Sequence, residues 1–121
     1  MAMWICCNSS LSLEKTGELI GELDRRYPDI MRDFWVSKPK TCDHYVREDA
    51  LDNGLDAQCS FVVEWNNKDG PDLLKVIPKL LYEVFGTKVI LAFDMDGEVI
   101  KPEDADLIAA KGFSPNRAPY K

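Results

Sequence analysis

The sequence has no long apolar run, few cysteines and a single histidine. A helix that spans a bilayer takes roughly 20 consecutive apolar residues, so no transmembrane helix is expected. Residues 1–12 also lack the basic end and the long apolar stretch that mark a signal peptide. We therefore expect a soluble protein that is not exported by that route and that has a cytoplasmic location.

The four cysteines form no pattern that predicts disulfides or a metal site. Cys6 and Cys7 are adjacent and would point to opposite faces of a strand, and no Cys-x-x-Cys pair is present. Cys42 and His44 are candidates for zinc ligands, or for a nucleophile and its base, but nothing near them resembles an oxyanion hole. We expect buried, reduced thiols, a solvated His44, and neither a metal nor another cofactor.

Positive charge is scarce in this chain. The sequence has 15 Lys and Arg against 21 Asp and Glu, which leaves a net charge of −6. Such a protein is repelled by phosphates and by anionic lipid head groups, which disfavours direct binding to nucleic acid or to a membrane. The same field attracts proteins rich in Lys and Arg and accelerates their encounter. We therefore expect a basic protein as the partner.

The acidic residues are concentrated in two segments. Residues 43–56 hold five acidic residues and one arginine, and residues 94–106 hold six acidic residues and one lysine. The candidate partner-binding residues come from both segments and are Asp43, Glu48, Asp49, Asp52, Asp56, Asp94, Asp96 and Glu98. The alternative explanation for both segments is a solvated surface that confers solubility.

The alternation of β-prone and amphipathic segments predicts the order β-α-β-β-α-β, followed by a β-α addition. Strands are predicted at residues 3–8, 31–37, 57–65, 88–93 and 98–100, and helices at 13–27, 73–85 and 102–110. Right-handed crossovers then predict the α+β class and a ferredoxin-like sandwich, in which helices cover one face of an antiparallel sheet. We expect residues 1–113 to form one domain and residues 114–121 a C-terminal tail.

Residues 38–56 form a long polar stretch that contains Pro39 and Asn53-Gly54. The stretch exceeds a usual hairpin connection, so we expect a functional or mobile loop. In the strand that follows, one face should be buried in the core, namely Cys59, Phe61, Val63 and Trp65. One of the neighbours Phe34 and Trp35 should face outward, and an exposed ring beside acidic residues is typical of a binding hot spot.

Two of the predicted helices contain residues that disfavour a helix. Gly17 and Gly21 lie on the apolar face of the first helix, and close approach to a sheet would account for them. Pro78 lies inside the helix predicted at 73–85, where it removes a backbone hydrogen bond. We therefore expect a kink or a break near Ile77.

Residues 89–100 resemble the first motif of haloacid-dehalogenase-type phosphatases, in which an apolar strand delivers two aspartates and a glycine. The aspartates would be Asp94 and Asp96. Glu98 stands where that family usually has threonine, and the short remainder of the chain has no room for the other motifs. We interpret the segment as a hairpin with an Asp96-Gly97 turn.

In size, charge, α+β organisation and lack of a catalytic motif, the chain resembles the small acidic immunity proteins of bacterial toxin systems. This resemblance implies a protein-binding inhibitor, not an enzyme, that neutralises a basic toxin such as a nuclease. The alternatives are a phage-encoded inhibitor of a host defence complex and a small-molecule-binding or catalytic α+β domain. A homo-oligomer joined through a strand edge is compatible with each of them.

Overall fold

The computed structural model describes residues 3–32, 34–65, 76–94 and 97–105. Its elements, in chain order, are β1 (Met3–Ser9), α1 (Leu13–Arg26), α2 (Pro28–Met31), β2 (Phe34–Val36), β3 (Lys40–Thr41), α3 (His44–Asp52), β4 (Cys59–Trp65), α4 (Ile77–Phe85), β5 (Ile90–Phe93) and β6 (Val99–Ile100). Residues 102–105 are helical. The predicted tail and the end of the last predicted helix lie outside the described residues.

The strands form one antiparallel sheet in the order β2-β4-β1-β5-β6, and β3 pairs with the same edge of β4 as β2 does. β1 pairs along its whole length with β4, from Met3 opposite Trp65 to Ser9 opposite Cys59. The predicted α+β class with an antiparallel sheet is confirmed. The second strand is shorter than predicted because Met31 belongs to α2, whose first turn begins with Pro28.

One face of the sheet packs against α1 and α4 and forms the main core. Cys59, Phe61 and Val63 of β4 are buried there, as the alternation of the strand predicts. The Trp65 side chain, which was assigned to the same face, lies outside the described part of the structure. Phe61 stacks on Phe85 of α4 with their ring centroids 5.7 Å apart. Full burial of one such large apolar side chain stabilises the fold by about 1.5–3 kcal/mol.

A buried polar cluster joins α1 to the sheet. The hydroxyl groups of Ser9 and Thr16 are hydrogen-bonded at 2.9 Å, and the Cys59 thiol donates to the Thr16 hydroxyl at 3.2 Å. All three residues are fully buried. Because a buried polar group is costly without a hydrogen-bond partner, this cluster fixes the position of α1 against β1 and β4.

The segment predicted to be a polar loop, residues 38–56, contains β3 and α3, so the loop prediction is wrong. Asp43 caps the helix: its Oδ1 accepts a hydrogen bond from the Val46 amide at 2.9 Å. At the other end, Gly54 has a φ of +85° and donates to the Leu51 carbonyl at 2.9 Å. Asn53-Gly54 therefore forms the C-terminus of α3, with the glycine in the left-handed region.

α3 lies on the face of the sheet opposite α1 and α4. A second small core is buried beneath it and consists of Cys42, Ala50, Leu55 and Ala57. Val46 of α3 and Leu91 of β5 pack against this core. Leu91 alternates with Ile90 and Ala92, which belong to the main core, so it lies on the opposite face. The expectation that the helices cover only one face is wrong, because the inward side of α3 matches an apolar patch on the second face.

Gly17 and Gly21 are accommodated in α1 without close approach to another element. A Cβ at Gly17 would meet nothing within 4 Å, and at Gly21 it would approach only the tip of Arg25, at 3.4 Å. The close approach expected at these glycines is therefore wrong. The described part of α4 begins at Ile77, and Pro78 occupies the first turn of that part, a position where helices tolerate proline. The helix predicted from residue 73 to 75, and with it the kink or break expected near Ile77, lies outside the described residues.

Candidate partner-binding site

The second face of the sheet is exposed between α3 and the β2–β3 edge. We call this surface the open sheet face, and its central residues are Trp4, Cys6, Trp35, Val62 and Glu64. The strand register places Trp4 and Trp35 opposite Glu64, and Cys6 opposite Val62. Phe34 is buried and Trp35 is 53% exposed, which confirms that one of these neighbours faces outward.

A groove of about 250 Å³ runs between α3 and the β5–β6 hairpin, and we call it the acidic groove. It is lined by Trp4, Cys6, Asn8, Val46, Asp49, Phe93, Asp94 and Gly97. Asp49 belongs to the first acidic segment and Asp94 to the second. The structure thus brings together, at one groove, the two segments that the sequence offered as separate candidate surfaces.

Asp94 also holds the β5–β6 hairpin turn. Its Oδ1 accepts a hydrogen bond from the Glu98 amide at 3.0 Å, and its carbonyl accepts one from the Gly97 amide at 3.0 Å. Gly97 has a φ of +83°, which glycine adopts more readily than other residues. Glu98 is exposed beside this turn, whereas Asp96 lies outside the described residues.

Three of the five acidic candidates on and beside α3 already have partners within the protein. Asp43 caps the helix, Asp56 forms an ion pair of 2.9 Å with Arg47, and the Glu48 carboxylate lies 2.9 Å from the His44 Nε2. Asp49 and Asp52 are exposed, and neither carboxylate forms an ion pair within the described residues. These two carboxylates are therefore the acidic groups of α3 that are most available to a partner.

Tyr45 was missed by the sequence analysis. It is 76% exposed on α3, and its ring and the His44 ring form a T-shaped pair with a centroid distance of 5.7 Å. Residues four apart on a helix are surface neighbours, so Tyr45 lies beside Asp49. An exposed tyrosine next to uncompensated acid is typical of a binding hot spot. The spacing from 45 to 49 becomes informative only once the segment is known to be helical.

A second groove, of about 390 Å³, lies on the β2–β3 side of the open sheet face, and we call it the lysine groove. Its lining consists of Trp4, Cys6, Trp35, Ser37, Lys38, Lys40, Ser60, Phe61, Val62 and Glu64. Lys38 and Lys40 are exposed at its edge. The sequence analysis did not identify these lysines, because they precede the acidic segment and belong to no charge cluster.

The thiols and the histidine show no activated group. All four cysteines are free, and burial raises the pKa of the Cys6 thiol and raises that of Cys7 well above its ordinary value. Burial also raises the pKa of Cys42, so these thiols stay protonated near neutral pH and are poor nucleophiles. His44 is exposed, as expected. Within the described ranges, no group of three or more His, Cys, Asp or Glu side chains is placed to hold a metal ion, and no helix is long and apolar enough to cross a membrane.

Comparison with known proteins gives three matches. Residues 1–97 match the family described as CDI System Immunity Component. Immunity protein CdiI-2 of Burkholderia pseudomallei (strain 1026b) is 33% identical over 58 residues, which are 48% of this chain and 57% of that protein. A chain of the CdiA-CT/CdiI toxin and immunity complex from Burkholderia pseudomallei superposes with a TM-score of 0.71 at 24% identity, over 79% of this chain and 93% of that chain.

These matches differ in what they establish. The sequence match spans little more than half the length of CdiI-2, and the structural match, at 24% identity, shows a shared fold. The family match covers 97 of the 121 residues and includes α3, β5 and Asp94. It confirms the resemblance to immunity proteins of bacterial toxin systems that the sequence suggested. This chain belongs to the CDI System Immunity Component family.

Proposed function

We propose that this protein binds and neutralises a CdiA-CT toxin, and that it does so through the acidic groove and the exposed side of α3. The observation that carries the proposal is the meeting of the two acidic segments at one groove, where Asp49 and Asp94 share its lining with Trp4. Acidic residues that only kept the protein soluble would not need to line the same largely apolar groove. The family match supports the role of inhibitor.

The proposed partner is a basic surface of the toxin. Asp49 and Asp52 have no ion pair within the described residues, so a cationic side chain of the toxin would supply the missing partner. Tyr45 lies beside Asp49 and offers a large contact area, and its side chain loses little conformational entropy on binding. If the toxin is a nuclease, the surface that binds substrate phosphates is cationic, and this acidic surface would occupy it. Inhibition would then require no chemical step from this protein.

The test uses the CdiA-CT toxin domain from the same genome. Asp49→Lys/Asp52→Lys reverses both available charges of α3, and we expect the Kd for the toxin to rise by about 30-fold or more. Titration calorimetry measures the Kd. Co-expression of toxin and variant should fail to protect cell growth, whereas the unaltered protein should protect it.

The matched control is Glu14→Lys/Asp24→Lys, which makes the same change in net charge on α1, at the other face of the sheet. Both control residues are exposed and have no ion pair within the described ranges. We expect this variant to bind the toxin within about threefold of the unaltered protein. Absence of toxin binding by the unaltered protein would refute the proposed function. Equal weakening by the two variants would refute the proposed surface.

A further inference from the structure

The lysine groove holds two lysines and one acid, Glu64, and so carries net positive charge on the same face as the acidic groove. Lys38 and Lys40 are exposed, and neither forms an ion pair within the described residues. Lys40 pairs with Ser60, and directly opposed residues of two strands share a face of the sheet. Trp35 shares that face because it lies opposite Glu64. The groove therefore combines two available ammonium groups with an exposed indole.

The two grooves form one continuous surface. Trp4 and Cys6 line both of them, so the floors of the two grooves meet at these two side chains and one partner surface can cover both. A partner that covers Lys38 and Lys40 removes water from both ammonium groups. A buried charge without an opposite charge is strongly unfavourable, so a partner that was basic throughout would be repelled here.

We propose that the lysine groove receives an acidic side chain of the toxin, held by Lys38 and Lys40, with an apolar toxin side chain packed on Trp35. This inference rests on the proposed function and specifies the partner further. The bound toxin surface is bipolar: it is basic opposite Asp49 and Asp94, and acidic opposite the two lysines. Because the acidic groove and the lysine groove carry opposite charges, they fix the orientation of the toxin. They also disfavour other basic proteins, since those would place positive charge on the lysines.

The first experiment separates a bipolar partner from a uniformly basic one. Lys38→Glu/Lys40→Glu makes this protein more acidic, and a uniformly basic toxin would bind it more tightly. A bipolar toxin surface would bind it more weakly, and we expect the Kd to rise by about tenfold or more. The control is Lys15→Glu/Lys88→Glu, which changes net charge equally at exposed positions outside the two grooves. We expect the control to stay within about threefold of the unaltered protein.

The second experiment uses the unaltered complex and does not depend on how a variant folds. A carbodiimide couples a lysine amine to a carboxylate that touches it, with loss of water and formation of an amide. We expect mass spectrometry to find Lys38 or Lys40 joined to an Asp or Glu of the toxin.

The outcomes distinguish this inference from the proposed function. If the unaltered protein does not bind the toxin, both are overturned. If it binds, but Lys38→Glu/Lys40→Glu binds equally or more tightly, only the bipolar surface is overturned. A complex in which neither lysine couples to a toxin carboxylate also overturns the bipolar surface alone.

Discussion

Cys7 shows at the scale of a single residue how burial controls chemistry. Its side chain is fully buried between the sheet and the helices of the main core, and desolvation raises its pKa well above 9.0. An unfolded chain exposes the same thiol, which ionises near its ordinary pKa. The folded state therefore favours the protonated thiol, so the free energy of unfolding depends on pH through this group.

This linkage predicts a loss of stability in alkaline solution. Because the folded pKa of Cys7 is raised, its contribution is complete below pH 9.0 and is lost as the pH rises toward the folded pKa. Between pH 9.0 and the folded pKa, one such thiol lowers the free energy of unfolding by up to about 1.4 kcal/mol per pH unit. Urea denaturation between pH 7 and 10.5 measures this slope, and we expect Cys7→Ala to make it shallower.

The matched control for this prediction is Cys6→Ala, on the other face of the same strand. The pKa of Cys6 is also raised by burial, but this thiol is only half-buried and a hydrogen bond with Trp4 opposes the effect. Its removal should change the alkaline slope less than the removal of Cys7. A Cys7→Ala protein with the slope of the unaltered protein would contradict the linkage.

At the scale of the element, α3 is the feature that the sequence concealed. Its inward side consists of Val46 and Ala50, whereas Tyr45 and Leu51 are exposed, so the apolar residues do not follow a clear helical period. The termini carried the signal that was overlooked, since Asp43 and Gly54 are typical residues at the two ends of a helix.

Substitution of glycine by alanine should have opposite effects on stability at Gly54 and at Gly17. Gly54→Ala places a Cβ at a φ of +85° and should destabilise the protein by about 1 kcal/mol. Gly17→Ala lies within α1, where a Cβ meets nothing within 4 Å, and should stabilise it by about 1 kcal/mol. The midpoints of urea denaturation at neutral pH measure both changes. Shifts of the same sign for the two variants would contradict the assigned helix ends.

The regular strands were predictable from local pattern alone. β1, β4 and β5 lie within or close to their predicted ranges, and the buried side of β4 follows from strict alternation. β3 was missed because it has only two residues, Lys40 and Thr41, and both are exposed. A strand of that length has no periodicity, and its pairing with β4 depends on contacts with residues about 20 positions away.

At the scale of the whole molecule, the net charge of −6 predicts how the proposed complex assembles. Long-range attraction accelerates association with a basic partner. At 0.1 M ionic strength, salt screens the attraction between charges that lie more than about 10 Å apart. We expect the association rate with the CdiA-CT toxin to fall at least about tenfold between 0.05 and 0.5 M NaCl. The dissociation rate should change less. Stopped-flow fluorescence measures the association rate.

The same measurement on Asp49→Lys/Asp52→Lys should give a shallower dependence on salt, because the attraction at the contact surface is reduced. Glu14→Lys/Asp24→Lys has the same net charge and should remain close to the unaltered protein. An association rate that does not depend on salt would show that acidic charge does not guide this protein to the toxin.

By itself, the sequence determined the acidic character, the α+β class and the core side of β4. These properties depend on sums over the chain or on the local period of a strand. Tertiary structure alone decided that Asp49 and Asp94, 45 positions apart, line one groove, and that Lys38 and Lys40 line the next. Strand pairing and the packing of α3 on the second face bring these residues together, and both depend on contacts between distant parts of the chain that no local pattern encodes.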